Sequence, residues 1–136
     1  MKAFNNYLLF NGNCREAMEF YANSLDGELQ LMKFSEGPSP VPPESKDRIM
    51  HARLSKGPAV LMASDNMPGM EYHQGDNYFV NLDCESVEEI EKYFSAIGEK
   101  GTIIMPLQET FWAKRFAMLR DRFGVRWMFN LEKVKQ

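Results

Sequence analysis

Apolar and polar residues alternate in short runs through most of this chain, and the alternation gives way to helical spacing twice. The densest stretch is Met105–Leu131. It reads as two long strands around Asp121-Arg122-Phe123-Gly124, with Phe116, Met118 and Leu119 before the turn and Val125, Trp127, Met128 and Phe129 after it. Ile49–Ser64 has the same design around Lys56-Gly57-Pro58. At the start, Ala3–Asn11 is expected to be a strand with Phe4, Asn6, Leu8 and Phe10 on one face and Asn5, Tyr7, Leu9 and Asn11 on the other. Asn13, with Glu16 three residues on, is expected to cap a helix that stops near Leu25 at Asp26-Gly27. Its docking face is Cys14, Ala17, Met18, Tyr21 and Leu25. Glu28–Phe34 is a further strand, and Ser35–Asp47, with Pro38, Pro40, Pro42 and Pro43, is a loop. Asp65–Gly75 is a second loop.

The order then restarts. Asp76–Asp83 reads as a strand, Ser86 and Glu89 as a capping box, and Val87, Ile90, Phe94 and Ile97 as the apolar face of a helix. Thr102–Leu107 and the Phe111–Leu131 hairpin follow. Matching residues recur at drifting offsets: Asn6 to Asn77 at 71, Cys14 to Cys84 at 70, Met32 to Met105 at 73 and Gly57 to Gly124 at 67. This is the pattern of a duplicated unit with altered loops. The fold class expected is α+β, with two βαβββ modules, about 1–65 and about 76–136, in one domain of 136 residues.

Composition narrows the function. A net charge of −3 with 16 scattered basic residues argues against a nucleic-acid partner, and no apolar run reaches membrane-spanning length or signal-peptide character. Two cysteines and no export signal fit a cytoplasmic protein with reduced thiols. Ten methionines suit either a core or an adaptable apolar binding surface. No Gly-rich loop opens a helix after a strand, so neither a dinucleotide nor a methyl-donor cofactor is indicated and no cofactor is expected.

One family joins these features. Phe10-Asn11-Gly12-Asn13-Cys14 leading to Glu19-Phe20-Tyr21, then Met50-His51-Ala52 and Leu61-Met62-Ala63-Ser64-Asp65, carry part of a resemblance. The most specific part is Met105-Pro106-Leu107-Gln108 through Thr110-Phe111-Trp112 to Phe123-Gly124 and Trp127. The chain resembles the vicinal oxygen chelate superfamily of glyoxalases, bleomycin- and fosfomycin-resistance proteins and extradiol dioxygenases, in its PhnB-like (demethylubiquinone methyltransferase-like) branch. The resemblance implies curved mixed sheets that enclose a cavity, and a homodimer, here with Trp127 or neighbouring aromatics near the interface. Metal-dependent relatives place His and Glu ligands on the first and last strands of the modules. In this sequence those positions fall on Asn6, Met62, Asn77 and Met128, a donor set too weak for a divalent Lewis acid, so no metal is expected.

The candidate ligand-binding residues are Asn6, Leu8, Asn77 and Phe79 on the first strands, Met62 and Met128 on the last, and Trp112 with Arg115 as an aromatic and a cationic group at one side. They point to a metal-independent protein that binds a hydrophobic or planar small molecule. The alternative is an enzyme on the same fold, a lyase, isomerase or resistance-type transferase using Arg115, His51 or His73. A methyltransferase finds no support in the residues.

Overall fold

A computed structural model of the chain describes residues 1–134. These residues fall into two compact units, Met1–His73 and a second that starts at Gln74. The first unit runs β1 (Tyr7–Phe10), α1 (Cys14–Leu25), β2 (Glu28–Lys33), β3 (Ile49–Lys56) and β4 (Ala59–Asp65). Its four-stranded sheet has the order β1-β4-β3-β2. β1 is parallel to β4, and the other two pairings are antiparallel. The proline-rich segment between β2 and β3 carries two short 3-10 turns, Phe34–Glu36 and Pro43–Ser45. The second unit repeats the order as β5 (Val80–Asp83), α2 (Val87–Ile97), β6 (Thr102–Gln108), β7 (Ala113–Arg120) and β8 (Arg126–Glu132). Its sheet has the order β5-β8-β7-β6, with β5 parallel to β8. The architecture is α+β, two mixed sheets each with one helix.

Several elements are shorter than their sequence patterns. β1 begins at Tyr7 rather than Ala3, and β5 at Val80 rather than Asp76. Both are edge strands with a single neighbour. Phe4 is 90% exposed, so nothing apolar holds the start of the first pattern on the sheet. The helices begin at Cys14 and Val87, an offset of 73 (87 − 14). That differs from the 71 that separates Asn6 from Asn77, so the helix starts do not align these two residues. Pro106 lies in β6, the other edge of its sheet, where a strand tolerates the loss of an N–H donor.

The two helices are started by different means. Ser86 Oγ accepts from Glu89 N–H at 3.1 Å, as a capping residue should. Glu89 Oε1 in turn accepts from Glu85 N–H, one residue ahead of the cap. Asn13 makes no capping bond. The buried carboxylate of Asp65, at the far end of β4, takes over that task. Its Oδ1 accepts from Gly12 N–H and Cys14 N–H at 2.8 and 3.0 Å, and its Oδ2 from Ile49 N–H at 2.8 Å. One side chain thus ties β4 to the start of α1 and the start of β3. At the other end of α1, Asp26 takes the left-handed conformation and Gly27 N–H returns to Ala22 O.

Each sheet packs one face on its helix. In the first unit Phe10, Cys14, Ala17, Met18, Tyr21, Ile49, Ala52 and Ala63 are essentially inaccessible. In the second, Ile90, Ile97, Ala117, Leu119, Trp127 and Phe129 are, and Phe94 of α2 meets the Phe129 ring edge-on at 5.6 Å. Each large side chain buried this way contributes about 1.5–3 kcal/mol. Trp127 has no exposed surface, whereas Phe111 and Trp112 are 89% and 46% exposed. Among the described residues no helix is long and apolar enough to cross a membrane.

Candidate ligand-binding site

Strand alternation gives each sheet a second face, away from its helix. In the first sheet, Asp65 reaches the start of α1, so Ala63 and Leu61, two and four residues back, share the helix side. Met62 and Ser64 take the other. Register then carries the row across all four strands: Tyr7 is opposite Met62, Met62 opposite Arg53, and Arg53 opposite Gln30. Tyr7 and His51 form the polar centre of this face. Tyr7 Oη and His51 Nδ1 are 3.1 Å apart and their rings 5.8 Å apart. Tyr7 and Leu9 are about half exposed, and Arg53 is exposed.

Leu8 does not belong to this row. It pairs with Ala63 and is buried on the helix side. Asn6 lies ahead of β1, exposed, with its carbonyl accepting from Met62 N–H at 3.2 Å. The residue beside Met62 is therefore Tyr7. Its signal was present in the sequence, since Tyr7 and Leu9 form the other half of the same alternation, but periodicity alone does not say which half the helix covers.

In the second sheet Phe129 and Trp127 belong to the helix side, so Met128 takes the uncovered face. The row here is Asn81, Met128, Met118 and Met105. Three thioethers in line make a polarisable, deformable surface. The next row is Asp83, Asn130, Phe116 and Gln108. Asp83 Oδ1 accepts from Asn81 Nδ2 at 3.2 Å and from Asn130 Nδ2 at 3.4 Å, which leaves Asn130 Oδ1 buried without a partner. Phe116 continues into an aromatic series, with Trp112 edge-on at 5.2 Å and Phe111 edge-on to Trp112 at 4.9 Å. A tight turn sets Trp112: Thr110 N–H donates to Ala113 O, and Ala113 N–H donates to Thr110 Oγ1, both at 3.0 Å.

The other candidates are more dispersed. Phe79 precedes β5 and lies under the Arg126 guanidinium, 4.5 Å from the ring centre. Asn77 is an exposed residue ahead of the strand, and Asn81 occupies the position beside Met128. Arg115 Nη1 donates to the adjacent Lys114 carbonyl. His73 Nε2 lies 3.0 Å from Glu71 Oε1 in an exposed loop. Cys14 and Cys84 are buried, and desolvation pushes each thiol up to about 12, helped at Cys14 by Asp65 and at Cys84 by Glu89 and Asp83. Neither is a nucleophile near neutral pH. Among the described residues no group of three or more His, Cys, Asp or Glu side chains is arranged to hold a metal ion.

The family described as 3-demethylubiquinone-9 3-methyltransferase matches residues 2–129. The chain belongs to this family. Protein YjdN of Escherichia coli K12 is 36% identical over 140 residues, covering 93% of each chain. Among solved structures, protein PA1353 from Pseudomonas aeruginosa is 44% identical over 98% of this chain and 100% of its own, with a TM-score of 0.89. The PhnB protein from Bacillus cereus is 27% identical over 96% and 99%, with a TM-score of 0.75. A glyoxylase/bleomycin resistance protein/dioxygenase domain from Frankia shares the fold, with a TM-score of 0.69 at 12% identity over 98% of each chain. The family is thus PhnB-like with a glyoxalase-type fold, as the C-terminal motifs implied.

Proposed function

We propose that this protein binds a hydrophobic or planar small molecule, without a metal, against the uncovered faces of its sheets. The observation that carries the reading is the row Met105, Met118 and Met128, ended by Asn81 and bordered by Phe116 and Trp112. Apolar area with a few placed amides is the usual make-up of a small-molecule site. The pairs on these faces, Tyr7 with Met62 and Asn81 with Met128, are weak donors for a divalent cation and support metal independence. A cytoplasmic homodimer is part of the same reading, supported by open sheet edges and the exposed Phe111 and Trp112.

Methyl transfer, named in the family description, is poorly supported by the turn between β1 and α1. That turn has one glycine, and the N–H groups of Gly12 and Cys14 are already taken by Asp65. They are not available to cradle a cofactor.

One observation favours a second reading, an enzyme on the same fold. The Tyr7–His51 hydrogen bond beside Arg53 puts a phenol, an imidazole and a cation on one face, a set able to move a proton next to an anionic group. Titration with a neutral planar dye such as Nile red, and with a short-chain quinone, tests the binding reading. Saturable binding of either that Trp112→Ala weakens supports it. Absence of saturable binding for both would sink it.

A further inference from the structure

Past the C-terminal ends of the parallel strands β1 and β4, the first unit holds a separate pocket of about 440 Å³. Asn11, Ser45, Arg48, Asn66, Met67 and Met70 line it. Arg48 is firmly mounted. Its Nη2 donates to Asn66 O at 3.1 Å and to Asn11 Oδ1 at 3.3 Å. Asn66 is itself buried, with its N–H on Phe10 O at 2.6 Å and its Nδ2 on Met70 O at 2.7 Å. Gly12, at φ +97°, makes room: a Cβ there would sit 3.2 Å from Arg48 Nη1.

Among the described residues, the bonds of this guanidinium go to neutral acceptors, and its Nε, which is buried, has no partner. Among the described residues no carboxylate oxygen lies within 4.0 Å of it. Asp65, the buried acid at the end of β4, spends both oxygens on the backbone N–H groups of Gly12, Cys14 and Ile49. A half-buried, uncompensated guanidinium at a pocket wall favours an oxyanion, which it can meet with charge-assisted hydrogen bonds. Met67 and Met70 offer apolar contact beside it.

We propose that this pocket binds a small molecule with one carboxylate or phosphate group on a compact apolar body, with Arg48 as the anchor for the anion. Glu44 also lines the pocket. Its charge opposes an anion and so disfavours polyanions.

The test is titration of the full chain with benzoate, phenyl phosphate and neutral benzyl alcohol, followed by NMR shifts of the Asn66–Met70 segment. At least one of the two anions should bind saturably, at least ~10-fold tighter than benzyl alcohol. The stronger anion identifies the head group. Arg48→Met should abolish that preference. Should Arg48→Met fail to fold, Met70→Glu, at a residue 60% exposed, reads the same charge preference in a folded protein. It should weaken the anion about 5-fold and leave Nile red binding unchanged, whereas Glu44→Gln should tighten the anion. Equal binding of benzyl alcohol and the anions, no saturable anion binding at millimolar concentration, or indifference to both Met70→Glu and Glu44→Gln would each overturn the proposal.

Discussion

The indole N–H of Trp127 donates to Asp121 Oδ2 at 2.9 Å, and both residues are buried. Asp121 Oδ1 also accepts from Phe123 N–H and Val125 N–H, at 2.8 and 2.9 Å. One carboxylate therefore shapes the β7–β8 turn and satisfies the polar atom of the largest buried side chain in the second unit. Asp121→Ala leaves three donors without their acceptor. The expected loss is about 2–4 kcal/mol, a fall in Tm of at least ~5 °C for a chain of this size. A thermal melt within 2 °C, roughly one mild surface substitution's effect, would show that the turn does not depend on this contact.

In the first unit a buried carboxylate acts at a different place, the end of β4, where Asp65 accepts from three backbone N–H groups of two separate segments. Asp65→Ala is expected to destabilise the first unit by roughly 2–4 kcal/mol. Hydrogen exchange should show the loss at Gly12, Cys14 and Ile49 first. Unchanged protection at all three amides would contradict the role given to the carboxylate.

Both cysteines carry thiols pushed from 9.0 up to about 12 by burial. The native protein is expected to react with a thiol reagent at pH 8 far more slowly than the denatured one. The raised folded value also fixes a pH dependence. Below pH 9 the thiols are protonated in both states and their contribution is fully present. Between pH 9 and 12 the unfolded chain loses those protons first, so stability falls as pH rises. Cys14→Ala and Cys84→Ala together should flatten that alkaline fall. An alkaline profile the same in the double variant would assign it to other groups.

Met128 lies between Asn81 and Met118 on the face left uncovered by α2. Met128→Glu puts a carboxylate into that row, and a charge facing an apolar ligand is costly. Nile red binding should weaken at least ~10-fold, and Met62→Glu in the first sheet reports whether both faces contribute. If both variants fold and bind as the parent does, the ligand sits elsewhere.

The neighbours Tyr7 with Met62 and Asn81 with Met128 are poor donors for divalent cations. Exhaustive dialysis against a chelator is expected to leave Tm unchanged. Elemental analysis finding about one Zn, Ni, Mn or Fe per chain after dialysis would reverse the metal-independent reading.

Local pattern alone determined a good deal of this protein. Helical spacing marked Cys14, Ala17, Met18 and Tyr21 on α1, and Ile90 and Ile97 on α2, because neighbours three and four apart share a face whatever lies beyond. The turns at Gly57 and Gly124 were legible because both need positive φ, and both have it, at 55° and 85°. What tertiary structure decided was which row of each strand faces the helix. Leu8 with Phe10 and Tyr7 with Leu9 are equally good apolar alternations, and only the parallel register with β4 sends the first pair inward and sets Tyr7 beside Met62 and His51. Asp65 in place of Asn13 at the start of α1, and Arg48 between Asn11 and Asn66, are likewise contacts between segments far apart in the chain. A strand's period of two specifies that two faces exist. Only long-range pairing, which no local window contains, specifies what covers each of them.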